Sequence, residues 1–173
     1  MNLIIYLADT LKYAFLILIT WFLIRPYLNS MLDSKRLILK TERLKTILPL
    51  RLQAYERVVL FLERINPTSM LVRVHVAGMT AIEMQQQILA EIRAEFQHNV
   101  AQQLYLSNHS WEVVKKIMED TVAIVNNTVS SLPEDASALV LSKTILHHLE
   151  SLEMENPYEA ALKIIKRDIQ QLF

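Results

Sequence analysis

The apolar segment of residues 3–24, opening at Leu3 and closing at Ile24, constrains this chain more than any other stretch. Its second half, residues 13–24, contains nothing more polar than Thr20. As an α helix the segment would be about 33 Å long, enough to cross a bilayer core. Trp21 and Tyr27 bracket its C-terminal exit and Arg25 comes directly after Ile24. That is the order of amphipathic aromatics and cations suited to a headgroup layer. A cleaved signal peptide fits less well, because no basic residue precedes the run and no small-residue cleavage pattern succeeds it. A transmembrane anchor is therefore expected over residues 1–25.

The charges beyond the run give a direction. Arg25, Lys35, Arg36, Lys40, Arg43, Lys45 and Arg51 face only Asp33 and Glu42 in the same stretch. The positive-inside bias then places the N-terminus outside and the remainder in the cytoplasm, anchored in the inner (cytoplasmic) membrane. The overall net charge of zero conceals a division. Residues 25–64 carry nine basic and four acidic side chains, a net of +5, and residues 65–173 carry eight and thirteen, a net of −5. A basic stretch beside a bilayer attracts anionic headgroups. Nucleic acid is the other common partner of a basic patch, but with few interleaved aromatics and a membrane tether it is not expected here. Within the span, Asp9 and Lys12 are three apart, so on a helix they share a side and can pair. Ionisable groups at that depth point to helix association or an ion path, unless they simply snorkel to the interface.

Composition removes several functions. With 173 residues, one glycine, five prolines and no cysteine, the chain has no phosphate loop and no dinucleotide fingerprint, both of which need at least two glycines. It also lacks disulfides, Cys-rich zinc sites and a Cys nucleophile. So few glycines argue against the many tight turns of sandwiches and barrels. An all-α protein remains.

Prolines and caps divide the rest. Pro26 is expected to kink or end the anchor helix, and Pro49 to separate a basic juxtamembrane helix over residues 26–49 from the bundle. Leu52, Tyr55, Val59 and Leu62 form the next apolar stripe, closed by Asn66-Pro67. Residues 70–77 alternate Val72, Val74 and Val76 with Arg73 and His75. No second run exists to pair with them, so a short helix or extended linker closed by Gly78 is expected. Thr80-Ala-Ile-Glu83 is a capping box opening a helix to about Leu106, with Ile82, Leu89, Ile92, Phe96 and Val100 on the buried face. Ser107 caps a helix to about Leu132, in which Trp111, Met118, Val125 and Leu132 recur every seven residues, flanked by Val114, Val122 and Val129. Ala138, Leu141, Ile145, Leu149 and Leu152 mark the next helix. Asn156-Pro157-Tyr158-Glu159 starts a last one, which buries Tyr158, Leu162, Ile165, Ile169 and Leu172. Short loops between them predict an up-down bundle of four to five amphipathic helices over residues 50–173.

Two resemblances accompany this reading. The strings Arg51-Leu-Gln-Ala-Tyr-Glu-Arg57, Leu60-Phe-Leu-Glu-Arg64, Gly78-Met79, Glu91-Ile-Arg-Ala-Glu-Phe-Gln-His-Asn99, Gln102-Gln-Leu-Tyr105 and Trp111 resemble a family of uncharacterised bacterial single-pass membrane proteins. The resemblance is good over residues 50–130 and looser beyond. It implies a short N-terminal anchor and a helical cytoplasmic domain, and it brings no activity and no functional residues. The anchor, with its early polar residue and aromatic-Arg-Pro exit, is also similar to the membrane end of the peripheral-stalk b subunit of rotary ATP synthases. That family continues as one long helix, and Pro49, Pro67 and Gly78 argue against the same continuation here.

Candidate chemistry is sparse. Glu91, Glu95, His98 and Gln102 share one face of the long helix, and Glu95-x-x-His98 has the spacing used in carboxylate-bridged di-iron bundles. No second Glu-x-x-His occurs, and the stripe sits at the edge of the apolar arc, so a solvated face is the simpler expectation. His147 and His148 are adjacent and cannot chelate from one helix face. His147 with Glu150 lacks third and fourth ligands. Ser107 and Ser110 flank His109, but they stand where caps are needed. Arg51, Tyr55, Glu56, Glu63 and Arg64 form a charged set on the first bundle helix, suited to pairing inside the bundle or to a protein surface, with Glu56 pairing to Arg57 or Arg64. Gln85 and Gln103 project into the apolar arc and predict an interhelical hydrogen bond or an oligomer interface.

The sequence thus points to a membrane-tethered helical interaction or scaffolding module. It is expected to have no catalytic site and no cofactor, with the bilayer and a protein partner, or a second copy, as its contacts. The alternatives are a metal-dependent bundle enzyme using Glu91, Glu95 and His98, and a subunit of an ion-coupled membrane assembly using Asp9.

Overall fold

A computed structural model describes residues 2–151 and 156–171, with side chains described from residue 11 onward. Its described residues are all-helical: α1 (Asn2–Ile65), α2 (Pro67–Val74), α3 (Ala81–Asn99), a 3-10 turn (Val100–Leu104), α4 (Asn108–Ser130), α5 (Ala138–Glu150) and α6 (Pro157–Gln170). By internal contacts the chain divides into two units, Met1–Ile47 and Leu48–Phe173.

In the first unit the described side chains of the apolar run are all exposed. They include Leu16, Trp21, Phe22 and Leu23, the last two 78% and 66% exposed. Among the described residues one helix, α1, is long and apolar enough to cross a membrane, by length and composition. Thr20, the most polar residue in the second half of the run, donates its hydroxyl to the Leu16 carbonyl at 2.7 Å. Ser34, Thr41 and Thr46 do the same with the carbonyl four residues back. Each hydroxyl is thereby satisfied within the helix itself. The pairing expected of Asp9 with Lys12 lies outside the described residues' contacts, since the Asp9 side chain is not described.

Pro26 and Pro49 both lie inside α1, so Pro49 does not separate two helices as the sequence predicts, and of the kink or end expected at Pro26 the end does not occur. A proline removes one N–H and crowds one carbonyl, that of Phe22 or Lys45 here, at a cost of about 3 kcal/mol. Cooperative hydrogen bonds on either side carry the helix through a single missing one. The separate helix expected over 26–49 is accordingly absent, and the first stop is Asn66-Pro67. There Asn66 caps α2, its Oδ1 accepting from the Thr68 N–H at 3.1 Å, with Pro67 in the first turn.

The second unit is built on one hydrophobic core. The C-terminal part of α1 contributes Tyr55, Val58, Phe61, Leu62 and Ile65, and α2 contributes Met70, Leu71 and Val74. Residues 67–74, which include most of the ambiguous stretch, are therefore helical, and the chain then turns through Gly78, whose φ of +84° suits glycine. Thr80 and Glu83 form the complete capping box. Thr80 also bridges to Ser137, with the Ala81 N–H on the Ala136 carbonyl at 2.8 Å and the Ala138 N–H on the Met79 carbonyl at 3.0 Å. This clasp starts α3 and α5 beside each other. In turn α3 packs on α4 and α5, and α4 on α5 and α6.

Two helix faces differ from the expected ones. In α3 the buried residues include Ala81, Met84, Ile88 and Ile92, whereas Ile82 and Val100 are 43% and 39% exposed. α3 also stops at Asn99, short of Leu106, so Gln103 is exposed on the 3-10 turn and not in a core. In α4 the innermost positions are Ser110, Val114, Ile117, Thr121, Val125 and Thr128, with Trp111, Met118, Val122 and Val129 at the margin. In α5, Ala138, Leu141 and Ile145 are buried, and in α6, Tyr158, Ala161 and Ile165. Leu152 and Leu172 lie outside the described residues.

Candidate functional site

The charged set read between residues 51 and 64, now within α1, separates into two clusters. Arg51 and Tyr55 belong to one. Arg51 Nε donates to the Tyr105 carbonyl at 3.1 Å, and the Tyr55 hydroxyl donates to Asp168 Oδ2 at 2.6 Å. The same carboxylate oxygen accepts from the hydroxyls of Ser107 and Ser110, the latter at 2.6 Å. Asp168 thus ties α6 to α1 and to the first turn of α4. Ser107 performs its capping role as well, accepting from the Ser110 N–H at 3.1 Å. Burial by itself would raise the Asp168 pKa, but the hydroxyls of Ser107, Ser110 and Tyr55, with the Arg51 charge, hold it below the usual carboxylate value. Burial first, and then the Asp168 acceptor and its charge, push the Tyr55 phenol up against smaller opposing effects of Ser107 and Arg51. His109 is exposed and pairs with neither Ser107 nor Ser110, whose hydroxyls both go to the carboxylate.

Arg64 belongs to the other cluster, where it pairs with Glu95 of α3. Arg73 of α2 grips Glu91 through Nε at 3.0 Å and Nη2 at 2.7 Å, and its Nη2 also donates to the Arg64 carbonyl at 3.1 Å. Two guanidinium–carboxylate contacts therefore join α1, α2 and α3. Among the described residues Glu56 pairs with neither Arg57 nor Arg64, and Arg64 goes to Glu95 instead. Glu56 and Glu63 are exposed.

These arginines also occupy the carboxylates of the candidate metal set. Glu91 and Glu95 each face a cation, His98 is exposed, and Gln102 lies beyond the end of α3 on the 3-10 turn. Among the described residues no group of three or more His, Cys, Asp or Glu side chains is placed to hold a metal ion. His147 and His148 are both exposed on the last turn of α5, and among the described residues neither belongs to a group that could hold a metal ion.

Beside the Arg64–Glu95 pair is a cleft of about 360 Å³. Its α1 wall is Arg57, Leu60, Phe61 and Arg64, and its α3 wall is Glu95, His98 and Asn99. Phe61 forms part of an aromatic file, with Phe96 at 6.0 Å and Trp111 a further 5.6 Å from Phe96 between ring centres.

Residues 1–172 match the model of a family of unknown function, DUF7935. The chain belongs to that family. No curated protein and no solved structure matches it.

Family membership names no site, so the interior of this DUF7935 chain must be read from its own contacts. Two of them carry little signal in the sequence. Asp168 has no motif around it; the only available hint is Ser107 and Ser110 one turn apart at a helix start, which leaves two hydroxyls needing an acceptor. Thr121 is fully buried, donating or accepting at 2.6 Å with the Tyr158 hydroxyl while also bonded to the Ile117 carbonyl. Burial pushes the Tyr158 pKa up to about 12, with the Asp120 charge adding to the rise and the Thr121 bond opposing it. Gln85, by contrast, makes the interhelical bond its position in the apolar arc predicts, its Nε2 donating to Asn126 Oδ1 of α4 at 2.8 Å. Among the described residues, no buried side-chain nitrogen or oxygen lacks a partner.

Proposed function

We propose that this protein is a membrane-tethered helical interaction module, with residues 1–25 as a transmembrane anchor, residues 26–49 as a basic juxtamembrane stretch, and residues 50–173 as a helical bundle on the cytoplasmic side. One observation carries the reading. No residue in the apolar window of α1 is buried. The core helix of a soluble domain would be covered by its own chain; this one leaves Leu16, Leu18, Phe22 and Leu23 bare, and such a surface needs a non-aqueous environment. The cations from Arg25 to Arg51 supply the orientation. Short connections between α3, α4 and α5, which pack on one another, support the up-down arrangement.

The module acts by contact and not by chemistry. Its buried polar groups are engaged with one another, the Ser107 and Ser110 hydroxyls are held by Asp168, and the Glu91 and Glu95 carboxylates are held by arginines. The exposed apolar and charged residues of α1 are the surface through which it meets lipid and a protein partner or a second copy. Alkaline carbonate extraction of membranes containing the full chain tests the tether. The protein is expected in the pellet, and should move to the supernatant when Leu16, Leu18 and Phe22 are together replaced by Asp. Release of the unaltered chain by carbonate would overturn the reading.

A further inference from the structure

The cleft between α1 and the end of α3 has an uneven chemical lining. Arg64 and Glu95 neutralise each other across it. Arg57, one turn before Leu60 on α1, is exposed and has no hydrogen bond or ion pair among the described residues. His98 is exposed on the facing wall. The cleft therefore keeps an uncompensated guanidinium after its internal pair is counted. The apolar part of the lining is on the α1 wall beside Arg57: Phe61 is buried and Leu60 is 54% exposed. A volume of about 360 Å³ falls within the range of small-ligand clefts.

We propose that this cleft binds an anionic amphiphile. A carboxylate or phosphate head meets the Arg57 guanidinium with His98 on the facing wall, and a short apolar chain covers the exposed Leu60. Guanidinium suits such a head because its fork of donors matches two oxygens of a carboxylate or phosphate at once. Leu60 gives the site its preference for an anion with an apolar tail over a bare one, since covering an exposed leucine is favourable only for a ligand that carries apolar surface. The Glu95 carboxylate does not repel the head, because Arg64 already holds it.

The test uses the full chain in zwitterionic lipid nanodiscs, with the arginine side-chain and histidine ring signals monitored by NMR. Hexanoate is expected to shift the Arg57 Nε–H and His98 signals saturably, at lower concentration than inorganic phosphate, while hexan-1-ol leaves them in place. Arg57→Gln, an exposed substitution, should weaken hexanoate binding by about tenfold or more, with an unchanged circular dichroism spectrum. Lys35→Gln, which removes a cation elsewhere, should leave it unaltered. Nanodiscs containing anionic phosphatidylglycerol decide the source of the head. A shift of Arg57 without added hexanoate assigns the site to a lipid headgroup, and a shift only with hexanoate assigns it to a free carboxylate. The proposal is overturned if no saturable shift occurs, if phosphate binds as tightly as hexanoate, or if Arg57→Gln binds hexanoate as well as the unaltered chain.

Discussion

Replacing Asp168 by Ala removes the one acceptor shared by Tyr55, Ser107 and Ser110. Tyr55 is 1% exposed and Ser110 0%, so neither hydroxyl gains water in exchange. A buried donor left without a partner costs about 1–3 kcal/mol. Two such hydroxyls at about 2 kcal/mol each, with partly exposed Ser107 adding under about 1 kcal/mol, give an expected loss of about 4–5 kcal/mol. Against a typical domain stability of about 5–15 kcal/mol this is a large share. Asp168→Asn keeps an acceptor oxygen but loses the charge, and should cost about 1–2 kcal/mol. Urea unfolding of the full chain in nanodiscs, read by Trp111 fluorescence in a Trp21→Phe background, measures both. Because Tyr55 and Asp168 are in contact, Tyr55→Phe and Asp168→Ala should be non-additive by about 1 kcal/mol. An Asp168→Ala loss below about 1 kcal/mol, or strict additivity with Tyr55→Phe, would refute the argument that this carboxylate fastens α6.

The same carboxylate predicts a pH signature. Its folded-state pKa is depressed, so its contribution is present above the unfolded value of about 3.9 and is lost as pH falls through the lower folded value. The advantage of the unaltered chain over Asp168→Asn should be level from about pH 5 to 8 and shrink below about pH 3.9. Thr80→Ala removes the acceptor for the Glu83 N–H, 3.2 Å away, and should cost about 1 kcal/mol in the same unfolding assay. Pro49→Ala restores a donor for the Lys45 carbonyl inside a continuous helix, and should slow hydrogen exchange in peptides covering residues 45–53; unchanged exchange would contradict continuity there.

Local signals in the sequence are legible because their causes are local. The Thr80–Glu83 box, the Ser107 cap and the Asn156-Pro157 start each depend on residues within one turn, and each has its expected backbone partner. Helix faces are less legible. Ile82 and Val100 are more hydrophobic than Ala81 and Asn99, but the clasp from Thr80 to Ser137 sets the rotation of α3 and turns Ala81 and Met84 inward. The interior of α4 is hidden for a related reason: Ser110, Thr121 and Thr128 are polar by composition, yet their hydroxyls are partnered by the Asp168 carboxylate, the Tyr158 hydroxyl and the Ile124 carbonyl, which makes burial tolerable. Pro49 misleads as a helix boundary because proline weakens a helix at one bond without dictating where the next bonds fail. The Asp168 cluster joins residues 55, 107, 110 and 168 from three helices, and no spacing rule along one helix brings them together. Glu91 and Glu95 share a face in sequence and in structure, but their partners, Arg73 and Arg64, lie on helices whose packing a single sequence does not reveal.

If α1 fixes the second unit to one side of a bilayer, the cysteine-free sequence permits a direct measurement of which side. Asn2→Cys and, separately, Asp135→Cys in the exposed loop before α5 are introduced into the full chain. Intact cells are then treated with a membrane-impermeant maleimide. Asn2→Cys is expected to be labelled in intact cells, and Asp135→Cys only after permeabilisation. Labelling of Asp135→Cys in intact cells, with Asn2→Cys protected, would contradict that expectation.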